Sequence, residues 1–208
     1  MFVQGLLDLY EAQFDLRHLG LALTLTAKQR DLFEDNEGGG FFSTGEADPH
    51  LVLRVKEDYD GAEPSGNSVT VLNLLRLAQM TGSADLRESA ERTFAAFASR
   101  LQLAPVGIPQ MLAACEFALG APREIILAGA RDSAAMAALL RELNTRFVPN
   151  RVVLLADTPE TRAKLARMIP SIAAMTSPEG GASAYVCRDY TCQLPVSEPA
   201  AFAELIQY

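Results

Sequence analysis

A helix-turn-helix pattern that occurs twice constrains this chain more than any other feature. Leu6-Leu7-Asp8-Leu9 is followed by Asp15-Leu16-Arg17, and about 70 residues later Leu74-Leu75-Arg76-Leu77 is followed by Asp85-Leu86-Arg87. Each copy places an apolar helix, a short turn and a second amphipathic helix in the same order, which is the pattern of stacked αα-hairpins. In the first helix Phe2, Val3, Leu6, Leu7, Leu9 and Tyr10 cover much of the circumference, and Val69, Val71, Leu72, Leu74, Leu75 and Leu77 do the same in the later copy. Helices that are apolar nearly all round are enclosed by others. The partner helix sets Arg87, Glu88, Glu91 and Arg92 beside Leu86, Ala90, Phe94 and Phe97, the polar stripe of an outer layer. Inner and outer layers together predict an α/α toroid.

The helix ends are punctuated by residues suited to caps: Gly82 after Met80-Thr81, Pro109 at the opening of a further helix, and Gly120-Ala121-Pro122 at its close. Between the two copies, residues Gly38 to Thr44 and Leu51 to Val55 read as two short strands. A β-hairpin there would carry Gly38 to Gly40 toward the acidic segment that follows.

The hydrophobic period changes at Pro122. Arg123 to Gly129 and Arg151 to Asp157 are buried-strand runs separated by an Ala/Leu-rich helix from Ser133 to Leu143, which makes one βαβ unit. A helix from Pro159 to Met168, a strand from Ala182 to Cys187 extending the parallel sheet, and a last helix from Pro199 to Ile206 complete the reading. The predicted class is α+β: residues 1–121 as toroid hairpins with a small β-hairpin, and residues 122–208 as a small α/β module with a mostly parallel sheet. The strand ends Ala128-Gly129-Ala130-Arg131-Asp132 and Ala156-Asp157-Thr158-Pro159 have the look of ligand loops in open α/β sheets, yet no GxGxxG follows either. A structural module is the simpler reading.

With 208 residues, 49% of them hydrophobic, the chain has material for two small cores. Its formal net charge of -8 argues against a nucleic-acid or anionic-membrane partner, since both select clustered Lys and Arg. The apolar runs Ile125–Ala130 and Val152–Ala156 fall far short of the roughly 20 residues that span a bilayer. Met1-Phe2-Val3-Gln4-Gly5 carries no basic n-region, so the cytoplasm is the expected location. Three cysteines are too few for a disulfide framework or a four-thiolate zinc site. Cys115 reads as a small buried hydrophobe. For Cys187 and Cys192 inert thiols are the simplest reading, with a disulfide or a pair of ligands as alternatives. No metal and no cofactor is expected.

The chemistry-bearing stretch is Lys56-Glu57-Asp58-Tyr59-Asp60-Gly61-Ala62-Glu63-Pro64-Ser65-Gly66-Asn67. Two carboxylates flanking a sugar are what glycoside chemistry requires, one as acid and one as base or nucleophile, and Asp58, Asp60 and Glu63 are the candidates. Amides of the helix opening at Ser65-Gly66-Asn67 would keep one of them ionised, and burial against Tyr59 would raise another. The bland alternative is capping, with Ser65 or Asn67 bonding the first-turn amides. Arg54 and Lys56 share a strand face from which they would neutralise Asp58 or Glu63, with ordinary surface charge as the equal alternative. Glu37, in Asp35-Asn36-Glu37, would add a carboxylate near the turn, with a solvated loop as the simpler alternative. Substrate contacts are therefore expected from Arg54, Lys56, Tyr59, Asn67 and Glu37. His18 reads as a surface or inter-helix residue; His50, beside Asp48-Pro49, would face the cavity.

Glu37-Gly38-Gly39-Gly40-Phe41-Phe42, the segment from Lys56 to Ser68 and Ala184-Tyr185-Val186-Cys187 closely resemble the spermatogenesis-associated, thioredoxin-domain-containing family. The resemblance runs nearly the whole length, and its Asp-Gly-Ala-Glu-Pro-Ser-Gly-Asn motif is long and specific. It implies an N-terminal thioredoxin-like domain followed by an (α/α)6 toroid similar to six-hairpin glycosidases and N-acylglucosamine 2-epimerases, with this chain matching the C-terminal part. The chain is then expected to begin inside the toroid. A sugar ligand, a thioredoxin-like domain as partner, redox chemistry at Cys187 and Cys192, and self-association through exposed inner-helix surface are the functional expectations, with a non-catalytic scaffold as the alternative to the sugar site.

Overall fold

The computed structural model describes residues 1–45, 50–188 and 191–207, and the Asp48-Pro49 pair lies outside them. The chain forms two compact units, one of residues 1–78 and 83–118 and the other of residues 79–82 and 119–208.

The first unit is built from helical hairpins. Helices α1 (Phe2–Gln13) and α2 (Leu16–Phe33) pack on each other. The turn between them is set by Phe14, left-handed at φ 52°, and by the Asp15 carboxylate, which accepts the Arg17 N–H at the start of α2. Val3, Leu6, Leu7 and Tyr10 form the buried stripe of α1 at i, i+3, i+4 and i+7. Phe2 and Leu9 are 69% and 43% exposed, so within this chain α1 is one-sided rather than enclosed. Helix α3 (Gly66–Thr81) is the enclosed one, with Val69, Val71, Leu74, Leu75, Leu77 and Met80 all at 2% exposure or less. Helix α4 (Ala84–Ala96) buries only Leu86, Ser89, Ala90 and Thr93, the single face expected of an outer helix. Short helices α5 (Ala98–Leu103) and α6 (Pro109–Leu119), separated by a 3₁₀ turn at Pro105–Gly107, close the unit.

The expected β-hairpin between the hairpins does not form. Ser43 N–H reaches the Val55 carbonyl at 2.8 Å, but no ladder follows among the described residues. Phe41 has spent its backbone groups elsewhere: its N–H donates to Asn67 Oδ1 at 2.7 Å and its carbonyl accepts from Asn67 Nδ2 at 2.9 Å. An amide side chain has taken the place of a neighbouring strand.

The second unit has a four-stranded sheet in the order β2-β1-β3-β4, from β1 (Arg123–Gly129), β2 (Arg151–Ala156), β3 (Ala182–Arg188) and β4 (Thr191–Cys192). Helices α7 (Ala134–Asn144), α8 (Pro159–Ala166) and α9 (Pro199–Leu205) pack with it. Strands β1 and β2 are parallel, as the βαβ reading requires, but β3 runs antiparallel to β1 and β4 antiparallel to β3. The sheet is therefore mixed, not mostly parallel. Ala182 lies opposite Gly129, so β3 begins at the edge where β1 finishes. Helix α8 leaves that edge and a 3₁₀ turn at Pro170–Ala174 folds back on it, returning the chain to the end it left instead of crossing over.

Candidate functional site

The acidic segment is held in place by side-chain to backbone bonds. Asp60 is 8% exposed and has both carboxylate oxygens occupied. Oδ1 accepts the Ser65 N–H at 2.7 Å, before the first turn of α3, and Oδ2 accepts the Gln110 N–H at 2.9 Å, in the first turn of α6. One carboxylate thus joins two helix N-termini, where backbone donors lack intrahelical partners and the helix dipoles favour negative charge. Asn67, 2% exposed, also donates to the Glu57 carbonyl at 3.2 Å and so couples the glycine segment to the acidic one. Ser65 Oγ accepts the Ser68 N–H at 3.1 Å and caps α3.

The glycine segment turns on Asp35. Its Oδ1 accepts the N–H groups of Glu37 and Gly38 at 3.0 and 2.9 Å, and its Oδ2 accepts Lys56 Nζ at 2.7 Å. The Gly38 amide first, and then the Lys56 ammonium, hold this carboxyl down at about 2. Lys56 also donates to the Gly39 carbonyl. Gly39 sits at φ 72°, and a Cβ there would overlap the Arg92 carbonyl on α4. Next to Asp35, Glu34 is anchored by Arg30, Arg92 and Ser89 at 2.6 to 2.7 Å. Burial alone would push the Glu34 carboxyl up, but those three hydrogen bonds outweigh it and leave it below its ordinary value.

Two grooves border this framework within the first unit. One, of about 480 Å³, is lined by Lys56, Asp58, Phe97, Ser99, Arg100 and Leu103, among others. Here Arg100 Nε donates to the Asp58 carbonyl at 3.1 Å and lies 3.7 Å from its carboxylate. The other, of about 410 Å³, is bordered by Gln29, Phe33, Phe41, Phe42, Glu57 and Asn67.

The residues singled out in the sequence separate into distinct roles. Asp58 and Lys56 meet at the first groove, whereas Asp60 and Asn67 are committed to backbone groups. Glu63, Glu37 and His50 are exposed, and Tyr59 is 61% exposed. Arg54 and Lys56 do share a face, but it is the Phe42 ring, 3.9 Å from the Arg54 guanidinium and 4.9 Å from the Lys56 ammonium. The acid paired with Lys56 is Asp35 rather than Asp58 or Glu63. Arg100 and Gln110 were missed because they approach from helices far along the chain. Asp35 carried a local signal, an Asp three residues ahead of a glycine, which is the mark of an Asx turn. Cys187 and Cys192 are joined as a disulfide rather than left as thiols, and Cys115 is the free cysteine. Among the described residues no group of three or more His, Cys, Asp or Glu side chains converges as metal ligands.

Helical hairpins followed by a mixed sheet, with a glycine turn and an acidic turn locked together by Asp35, Lys56 and Asn67, define an α+β protein of the αα-hairpin kind in its first unit. No family model matches the chain. Over 205 residues, 98% of its length, it is 38% identical to spermatogenesis-associated protein 20 of Homo sapiens and 36% identical to that of Rattus norvegicus. A Caenorhabditis elegans protein described as uncharacterized is 31% identical over 204 residues. The chain belongs to the spermatogenesis-associated protein 20 family, as its motifs implied, and spans 26% of the length of the human relative.

Proposed function

We propose that this span supplies one wall of a carbohydrate-binding site in the longer proteins of the family, within an α/α toroid of the epimerase or glycosidase kind. The observation that carries the reading is the Asp58–Arg100 pair at the first groove, with Lys56 beside it and Phe97 and Leu103 as apolar lining. A carboxylate beside a guanidinium offers adjacent acceptors and donors, the pattern that matches neighbouring sugar hydroxyls, and apolar lining suits the C–H face of the ring. Asp58 is then the carboxylate that meets ligand, Glu63 is at most a rim residue, and Asp60 positions the turn. The experiment is a thermal-shift and calorimetric screen of neutral, amino and acidic sugars against the wild type and Asp58→Asn. A sugar that stabilises the first and not the second supports the site. A screen flat for both rejects it for this span.

A scaffold role is the second reading, and the double engagement of Asp60 favours it. It leaves the acidic turn with no ligand and makes stability its only measurable output. Cytoplasmic residence and a thioredoxin-like domain elsewhere in the longer protein belong to the same proposal; among the described residues no helix is long and apolar enough to cross a membrane. Self-association through the exposed side of α1, where Phe2 and Leu9 face outward, is tested by sedimentation, and a monomer at all concentrations would reject it.

A further inference from the structure

The disulfide of the second unit sits where a structural staple would do least. Cys187 in β3 lies directly opposite Cys192 in β4, and the bond between them spans a sequence separation of 5. A cross-link stabilises chiefly by restricting the unfolded chain, and the effect shrinks with the loop it closes, so a ring this small is close to the least effective staple available. The hairpin is also held without it. Gln193 N–H donates to the Val186 carbonyl at 3.0 Å, and Ala184 and Val196 exchange N–H to carbonyl bonds of 2.8 and 3.1 Å. These bonds keep the returning strand on β3 whether or not the sulfurs are joined.

The two cysteines differ in access. Cys187 is 3% exposed, in β3, whereas Cys192 is exposed on a two-residue edge strand. A nucleophile from solvent therefore meets Cys192, and the sulfur it displaces belongs to Cys187.

We propose that Cys187–Cys192 is a thiol–disulfide exchange site whose substrate is a dithiol reductant, attacked at Cys192. The thiolate of the reductant forms a bond to Cys192 Sγ as the Cys187–Cys192 bond breaks, and Cys187 leaves as a thiolate that takes a proton. The second thiol of the reductant then attacks the sulfur of its own mixed disulfide and releases Cys192. The reductant ends as a disulfide, the two cysteines end as thiols, and two electrons have passed to the protein. The site is independent of the carbohydrate reading.

The test uses the 208-residue chain purified without reductant. Titration in denaturant is expected to find one thiol, Cys115, among the three cysteines. After treatment of the folded protein with dithiothreitol, three thiols are expected, with an unchanged far-ultraviolet circular dichroism spectrum. Brief iodoacetamide labelling of that reduced, folded protein, mapped by mass spectrometry, is expected to mark Cys192 ahead of Cys187. In a Cys187→Ser variant, Cys192 is expected to capture oxidised glutathione as a mixed disulfide that does not resolve. Three thiols before any reductant, a bond that opens only in denaturant, or earlier labelling of Cys187 would each overturn the proposal.

Discussion

Arg76 Nη1 donates to the Asp8 carboxylate at 2.7 Å, an ion pair that joins α3 to α1. The two residues occupy the same place in the two copies of the sequence pattern, Leu-Leu-Asp-Leu and Leu-Leu-Arg-Leu. The two copies are thus matched through the position at which they carry opposite charge. The Arg76 side chain is 11% exposed and also lies 3.4 Å from Glu11, whereas that of Asp8 is 59% exposed. Asp8→Asn is expected to cost about 0.5 kcal/mol, because an exposed partner gains little from pairing. Arg76→Ala is expected to cost about 2 to 3 kcal/mol, through lost packing and the carboxylates it leaves behind. Urea unfolding of both single variants and the double variant measures the coupling.

Asp60 and Glu63, three residues apart, should behave as different kinds of residue. Asp60→Ala strips two N–H groups, one buried and one half-buried, of their acceptor and is expected to lower stability by about 2 to 4 kcal/mol. Glu63→Gln, at an exposed position, should stay within about 0.5 kcal/mol. Equal effects in denaturant unfolding would mean that Asp60 is not the residue holding the turn.

Glycine substitution separates conformation from propensity. Gly39→Ala meets a positive φ and the Arg92 carbonyl together, and a loss of about 2 kcal/mol or more is expected. Gly5, in the middle of α1 with open space around it, is the opposite case; Gly5→Ala should stabilise by roughly 0.5 to 1 kcal/mol. Melting temperatures of the two variants should move in opposite directions.

Two carboxyls set opposite slopes of stability with pH. Asp35 has a folded value of about 2 against an ordinary 3.8, so its contribution is complete above 3.8 and is lost as pH falls toward 2. Burial raises Glu124 from 4.5 to about 7, against a smaller opposing hydrogen bond from Gln79. Its cost is absent below 4.5, grows between 4.5 and 7, and is complete above 7. Lys56→Met should flatten the acid limb of the stability curve, and Glu124→Gln should raise stability near neutral pH while leaving the acid limb alone. Melting curves across that range check both signs.

Periodicity and punctuation determined a good deal of this protein by themselves. The enclosure of α3, the one-sided α4 and the parallel pair of β1 and β2 follow from which residues recur at helix and strand spacing, and such spacing is a local property of the chain. The family was legible for a related reason, because a run such as Asp60 to Asn67 is contiguous. What only the tertiary structure decided are relationships between distant segments. Whether Phe41 would pair with a strand or with the Asn67 amide depended on α3 arriving beside it, and whether Asp60 would face solvent or clasp a helix depended on Gln110, fifty residues away. The direction of β3 depended on a connection that doubles back, and the union of Cys187 with Cys192 on the register of a short hairpin. Each of these turns on which donor reaches a given acceptor, or which thiol another, in three dimensions, and sequence spacing carries no measure of that distance.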